Sequence, residues 1–192
     1  MNEVDKEYSP DKMLVIVANP KTGAILAMSQ RPSFDPSTRV GLTSNWLNES
    51  IENTIEPGST MKIFTLAAAI EENKWDPNAT FNSGQYTLYD RTIRDHVRGG
   101  WGTISFLEGF QRSSNVSMAY LLERLGDREF IKYMNEFGFG AKTGIDLPNE
   151  SAGIILDRFP SERLTTSYGQ GSTVTPMQMI QAVTAIANDG VM

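Results

Sequence analysis

The chain has no cysteine and only one histidine, His96. The first absence removes disulfides, thiol nucleophiles and cysteine-ligated zinc or iron–sulfur centres. It leaves the redox compartment open, because a chain without cysteine suits either side of a membrane. The second excludes a histidine-rich metal site, and any serine–histidine triad would rest on that one residue. Basic residues are in the minority, 17 against 23 acidic, for a net charge of −6 and a pI near 4.9. The footprint of a nucleic-acid binder is missing, and so is one for an anionic membrane surface. No apolar run reaches the roughly eighteen residues a spanning helix needs. The start, Met1 to Tyr8, is acidic and polar, unlike a targeting segment. No internal repeat or low-complexity tract interrupts the chain.

What is present is an ordinary globular balance. The 192 residues are 40% hydrophobic and 21% charged, enough for one domain with its own core. Met13 to Ala18 and Ala24 to Met28 are short apolar runs around Asn19-Pro20-Lys21-Thr22-Gly23, which predicts a hairpin. Gln30 to Gly58 is a long connection. Ser59 to Asn73 predicts a helix whose buried face carries Ile63, Leu66, Ala67 and Ile70. Asp76 to Trp101 reads as a surface excursion with one short hairpin, and Thr103 to Arg112 as a short helix. Val116 to Leu125 predicts a helix with Met118, Leu121, Leu122 and Leu125 inward. Asp127 is expected to cap the next one, which carries Phe130, Tyr133, Met134 and Phe137. Phe139 to Arg158 is loop-like. Thr175 and Pro176 open a last helix with Met179, Ile180, Val183, Ile186 and Ala187 as its stripe. The expected architecture is a hairpin followed by a helical body, an α+β arrangement short of strands.

Two clusters carry chemistry. In Pro57-Gly58-Ser59-Thr60-Met61-Lys62, Ser59 and Lys62 stand at i and i+3, side by side at a helix start. On the expected face both point into the core or a cleft. Burial and the positive helix end lower the pKa of the lysine, and a neutral lysine beside a serine hydroxyl is a base beside a nucleophile. The plain alternative is that Ser59 only caps the helix and Lys62 is solvated. A capping box, however, wants Glu or Gln where Lys62 stands. In Ser113-Ser114-Asn115, on a break between helices, Ser113 offers a proton relay and Asn115 a donor and acceptor for a substrate amide. The alternative there is a plain capping turn. His96 reads as a solvated loop residue, and Trp46, Trp75 and Trp101 as packing.

Together, the helix-start S-x-x-K and the later S-x-N resemble the penicillin-recognising serine acyltransferases. Glu56-Pro57-Gly58-Ser59-Thr60-Met61-Lys62, Ser113-Ser114-Asn115-Val116, Lys142-Thr143-Gly144-Ile145-Asp146-Leu147-Pro148 and Tyr168-Gly169-Gln170-Gly171 with Thr175-Pro176 narrow the resemblance to class B penicillin-binding proteins. It covers Met13 to Met192. It implies a β-lactamase/transpeptidase-like α+β fold, a helical cluster against an antiparallel sheet that is incomplete here. It implies one transpeptidase domain fragment over 1–192, with first hairpin and helical body present and C-terminal strands missing. The implied activity is a serine-type D,D-transpeptidase that cross-links peptidoglycan stem peptides in cell division. Ser59 would be the nucleophile, acylated by the penultimate D-Ala or by a β-lactam. Lys62 would be the base, Ser113 the relay and Asn115 the amide clamp. No metal or cofactor is implied. The implied partners are D-Ala-D-Ala stem peptides, β-lactams and other division proteins, with the domain outside the cytoplasmic membrane and a membrane anchor not present here. The alternatives are a D,D-carboxypeptidase, a serine β-lactamase, or a non-catalytic β-lactam sensor or scaffold. The family also carries a Lys-Thr-Gly or Lys-Ser-Gly motif on a strand lining the cleft. Lys21-Thr22-Gly23 precedes Ser59 at a turn, and Lys142-Thr143-Gly144 has no apolar strand before it. Both are read as decoys, so the isolated chain is expected to be inactive.

Overall fold

The computed structural model describes residues 1–192. In chain order it forms helix α1 (Asn2–Tyr8), strands β1 (Met13–Ala18) and β2 (Ile25–Arg31), then a 3₁₀ turn (Gly58–Met61) leading into α2 (Lys62–Glu71). Four short strands follow: β3 (Thr80–Asn82), β4 (Gln85–Leu88), β5 (Arg91–Arg94) and β6 (Thr103–Ser105). Helices α3 (Phe106–Gln111), α4 (Asn115–Leu125), α5 (Asp127–Glu136), α6 (Pro160–Thr166) and α7 (Pro176–Ala187) complete the chain. The class is α+β. No helix is long and apolar enough to cross a membrane. The elements fall into two compact units, each assembled from separated segments.

The first unit comprises Met1–Ile55, Lys142–Ala152 and Thr175–Met192. Its sheet is the antiparallel β1–β2 pair, with Met13 opposite Arg31 and Val17 opposite Ala27. At the turn, Asn19 Oδ1 accepts the Lys21 N–H at 2.9 Å, and the Asn19 carbonyl accepts the Gly23 N–H at 2.9 Å. Gly23 takes φ 70°, where a side chain would be strained. Lys21-Thr22-Gly23 is thus turn chemistry, as expected. The second strand outruns its expected end at Met28, because Arg31 continues the ladder opposite Met13.

Thr175 caps α7 reciprocally. Its hydroxyl accepts the Gln178 N–H at 3.1 Å, and Gln178 Oε1 accepts the Thr175 N–H at 2.8 Å. The expected stripe on this helix is not the buried one. Met177, Gln178, Ala182, Thr184 and Ala185 are inside, while Val183 and Ile186 are exposed. Gln178 sets the rotation: it serves the cap and also donates to the Ala152 carbonyl at 2.7 Å.

The second unit comprises Glu56–Ala141 and Gly153–Val174. Helices α2, α4 and α5 pack on one another. Phe64 is fully buried, its ring 5.0 Å from that of Phe137 and 5.0 Å from that of Phe139. The inward face of α2 differs from the expected one. Met61, Lys62, Phe64, Thr65, Ala68 and Ala69 are buried, whereas Ile63 is 38% and Ile70 50% exposed. On α4 the expected Met118, Leu121, Leu122 and Leu125 are buried, joined by Val116 and Ala119. Phe130 and Met134 anchor α5. Asp127 is no cap. Its carboxylate accepts from Tyr89 Oη at 2.6 Å and ion-pairs with Arg163 at 3.0 Å.

The excursion contains more strand than expected. The β4–β5 hairpin pairs Gln85 with Arg94, and β3 pairs with β6, Thr80 opposite Ser105. The expected helix from Thr103 therefore starts later. Ser105 ends β6 and caps α3, its hydroxyl accepting the Glu108 N–H at 3.1 Å. Helix α6 has no counterpart among the expected elements. Pro160 opens it, and Glu162 reaches back to the Phe159 N–H at 2.9 Å.

Candidate active site

Ser59 lies in the 3₁₀ turn, and Lys62 is the first residue of α2. Two long-range contacts shape this turn. The Gly58 N–H donates to the Gly169 carbonyl at 2.9 Å, and the Gly171 N–H donates to Glu56 Oε1 at 2.9 Å. Gly169 has φ 87°, and a Cβ there would stand 1.9 Å from the Gly58 carbonyl oxygen, so only glycine fits. Thr65 Oγ1 adds a bond to the Ser167 carbonyl at 2.7 Å. The segment Tyr168-Gly169-Gln170-Gly171 is thereby the backing of the Ser59 turn.

The two helix-start residues point differently. Lys62 is inward, 2% exposed, as expected. Ser59 is exposed at the cleft, not drawn into the core. Lys62 Nζ donates to the Ser113 carbonyl at 2.6 Å and to Ser113 Oγ at 3.0 Å. Burial pushes the ammonium down from 10.5 to about 8, against the opposing pull of the Asp95 charge.

Ser113 occupies the break between α3 and α4 with φ 56°, a strained value for a residue bearing a side chain. Ser114 caps α4. Its hydroxyl accepts the Ser117 N–H at 2.9 Å and donates to Asp95 Oδ1 at 2.8 Å. Asn115 Nδ2 donates to the Arg94 carbonyl at 3.1 Å, tying the turn to the end of β5.

Ser59, Lys62, Ser113 and Asn115 line one cleft of about 350 Å³, together with His96 and Tyr168. The four residues singled out in the sequence thus converge. His96 is exposed, and it also stands at the cleft rather than away from it. Its ring meets Trp101 edge-on at 5.3 Å, and the Arg112 guanidinium lies 5.4 Å from the Trp101 ring centre. Burial raises the Tyr168 hydroxyl pKa, opposed by Arg91. Two residues escaped sequence reasoning. Asp95 offered no motif, and the need for glycine at Gly169 shows only once Gly58 lies against it.

Lys142-Thr143-Gly144 belongs to the other unit and lies in a loop, not a strand. The Thr143 N–H donates to Glu150 at 2.7 Å and the Gly144 N–H at 3.1 Å, and the Thr143 hydroxyl donates to the same carboxylate. Burial opposes ionisation of Glu150, and these bonds outweigh it, holding its pKa below the usual value.

The family model described as penicillin binding protein transpeptidase domain matches residues 13–192. Stage V sporulation protein D of Bacillus subtilis is 42% identical, over 99% of this chain and 30% of its own length. Penicillin-binding protein PbpB of Mycolicibacterium smegmatis is 35% identical, over 92% of this chain and 28% of its own. The probable peptidoglycan D,D-transpeptidase PenA of Neisseria gonorrhoeae is 33% identical, over 100% and 33%. The crystal structure of penicillin binding protein 2X from Streptococcus thermophilus matches with a TM-score of 0.93 at 36% identity, covering 100% of this chain and 29% of that one. The chain spans about a third of the length of the curated relatives it matches.

Proposed function

This chain belongs to the penicillin-binding protein transpeptidase domain family, and from that premise we propose that it carries the acylation centre of a serine D,D-transpeptidase. The observation that supports this most is the buried Lys62 amine held on Ser113 in the cleft that also holds Ser59. With its pKa near 8, about a tenth of Lys62 is neutral at pH 7. A neutral amine has two N–H donors and one lone pair. The two bonds to Ser113 use the donors and leave the lone pair for the Ser59 proton.

In the proposed reaction Ser59 Oγ attacks the carbonyl of the penultimate D-Ala of a stem peptide while Lys62 takes its proton. The Ser59 N–H, at a helix start, supports the developing oxyanion. The C–N bond then breaks, and Ser113 Oγ passes a proton from Lys62 to the departing D-Ala amine. An amine from a second stem peptide displaces Ser59 and completes the cross-link. A β-lactam enters by the same attack, but its leaving nitrogen stays tethered and the ester persists. Asn115 holds the substrate amide. The substrates in this reading are D-Ala-D-Ala stem peptides and β-lactams, and the work belongs to septum building alongside other division proteins. The parent protein is anchored in the membrane with this domain on its outer side, where peptidoglycan lies.

The test is covalent labelling of the full-length protein by a fluorescent penicillin, followed by peptide mapping. The expected adduct is on Ser59 alone and is lost in Ser59→Ala. An adduct on Ser113 or Ser114 would sink the assignment.

A further inference from the structure

Asp95 stands immediately after β5 and is buried, 7% exposed. A buried carboxylate is costly unless something on the protein compensates it. Here the compensation is not an ion pair, since none of the chain's salt bridges includes Asp95. It comes from three neutral donors on two separate pieces of chain. Asp95 Oδ2 accepts the Gly84 N–H at 2.8 Å, and Oδ1 accepts the Ser114 hydroxyl at 2.8 Å and the Val116 N–H at 3.1 Å. The Asp95 N–H returns a bond to the Gly84 carbonyl at 3.0 Å. Gly84 and Gly100 pack backbone against backbone: a Cβ on Gly100 would fall 2.4 Å from the Gly84 nitrogen.

We infer that Asp95 is a positioning residue for the Ser59 site, its one carboxylate fixing the Ser113–Asn115 turn and setting the charge environment of Lys62. The inference rests on the reading of Lys62 as a base. The mechanical half follows from the bonds. The turn must hold Ser113 at φ 56° and still begin α4, and Asp95 clamps Ser114 and Val116 to the β-hairpin. The carboxylate also sits at the start of the 11-residue α4, where the helix dipole favours an anion. The electrostatic half follows from the neighbours of Lys62. Burial favours the neutral amine, and Asp95 is the carboxylate that opposes it. The other titratable groups at the cleft are His96 and Tyr168, and Arg91 acts on Tyr168 from β5. The Asp95 charge therefore holds the Lys62 midpoint above the value that burial alone would give it.

Asp95→Asn separates the two halves from a merely structural role. Lysine ε-carbons labelled with carbon-13 report each side-chain titration by NMR, with the Lys62 signal assigned from Lys62→Arg. The expected result is a Lys62 midpoint about one pH unit lower in Asp95→Asn. Ser114→Ala keeps the charge but removes one bond. There the midpoint stays in place, while penicillin acylation of the full-length protein falls about tenfold. An unmoved midpoint in Asp95→Asn overturns the inference. If Asp95→Asn does not fold, Ser114→Ala decides: undiminished acylation overturns the clamp. Titration as expected in a protein that never acylates refutes the transpeptidase reading and leaves the role of Asp95 in the charge environment standing.

Discussion

Substituting alanine for Gly169 places a methyl group where the structure has the Gly58 carbonyl oxygen, 1.9 Å away. An ordinary contact is about 3.5 Å, so the Gly58–Ser59 backbone must retreat by roughly 1.6 Å. Three costs follow. Alanine at φ 87° costs about 1–2 kcal/mol. The Gly58 N–H bond to the Gly169 carbonyl is lost, at about 1 kcal/mol. The overlap itself costs about 1–3 kcal/mol. The sum is about 4 kcal/mol. Gly140→Ala is the matched control: its φ is 81°, and the nearest foreign atom is Ile155 Cγ1 at 3.6 Å. It should pay only the conformational part, about 1–2 kcal/mol. Urea unfolding of the two variants measures the difference. Because the displaced backbone carries Ser59, penicillin acylation of full-length Gly169→Ala should fall about 10²-fold, the usual cost of an ångström-scale misplacement. Equal stability losses in the two variants, with Gly169→Ala acylating within about threefold of the parent, would refute the view that Gly169 shapes the Ser59 turn.

Lys62→Arg in the full-length protein should slow acylation by about 10²–10⁴, since arginine keeps the charge but cannot accept a proton at working pH; stopped-flow acylation measures this, and a near-normal rate would reduce Lys62 to a positive charge. The folded pKa of Lys62 is depressed to about 8 from 10.5, so between those values the unfolded chain binds the extra proton. The stability difference between the parent and Lys62→Met should therefore move in favour of the parent as pH rises through that window and be level below it. Urea midpoints across the range test the sign. Phe64→Ala removes a fully buried ring that touches Phe137 and Phe139, and should cost about 3–5 kcal/mol by the same urea assay.

Elements with a single apolar solution were legible in the sequence. The first hairpin, α4 and the start of α7 lie where patterning and capping residues put them. Helix α2 shows where such patterning runs out. Ile63, Leu66, Ala67 and Ile70 satisfy the helical spacing, but so do Met61, Phe64, Thr65 and Ala68. Periodicity cannot choose between two apolar faces, and the aromatic packing of Phe64 decides it. Strands β3 to β6 have three or four residues each, too few for alternation to declare itself. Asp127 reads locally as a cap, but its partners Tyr89 and Arg163 are distant in sequence. Ser59, Lys62, Ser113 and Asn115 were visible because their spacing forms motifs. Asp95 was not, because a lone carboxylate gains its meaning from Gly84, Ser114 and Val116.

The contact between Glu56 and Gly171 joins positions 115 residues apart. During synthesis the chain emerges from its N-terminal end, and helix α2 can form as soon as its own residues are free. The turn in front of it cannot be set so early. Its backing, Tyr168 to Gly171, leaves the ribosome more than a hundred residues later. Until then the Ser59 turn lacks the contacts that set it in the folded chain. The Ser59 turn is thus among the last features of this region to mature, and a nascent chain interrupted before Gly169 would carry the S-x-x-K sequence without the shape of the cleft it lines.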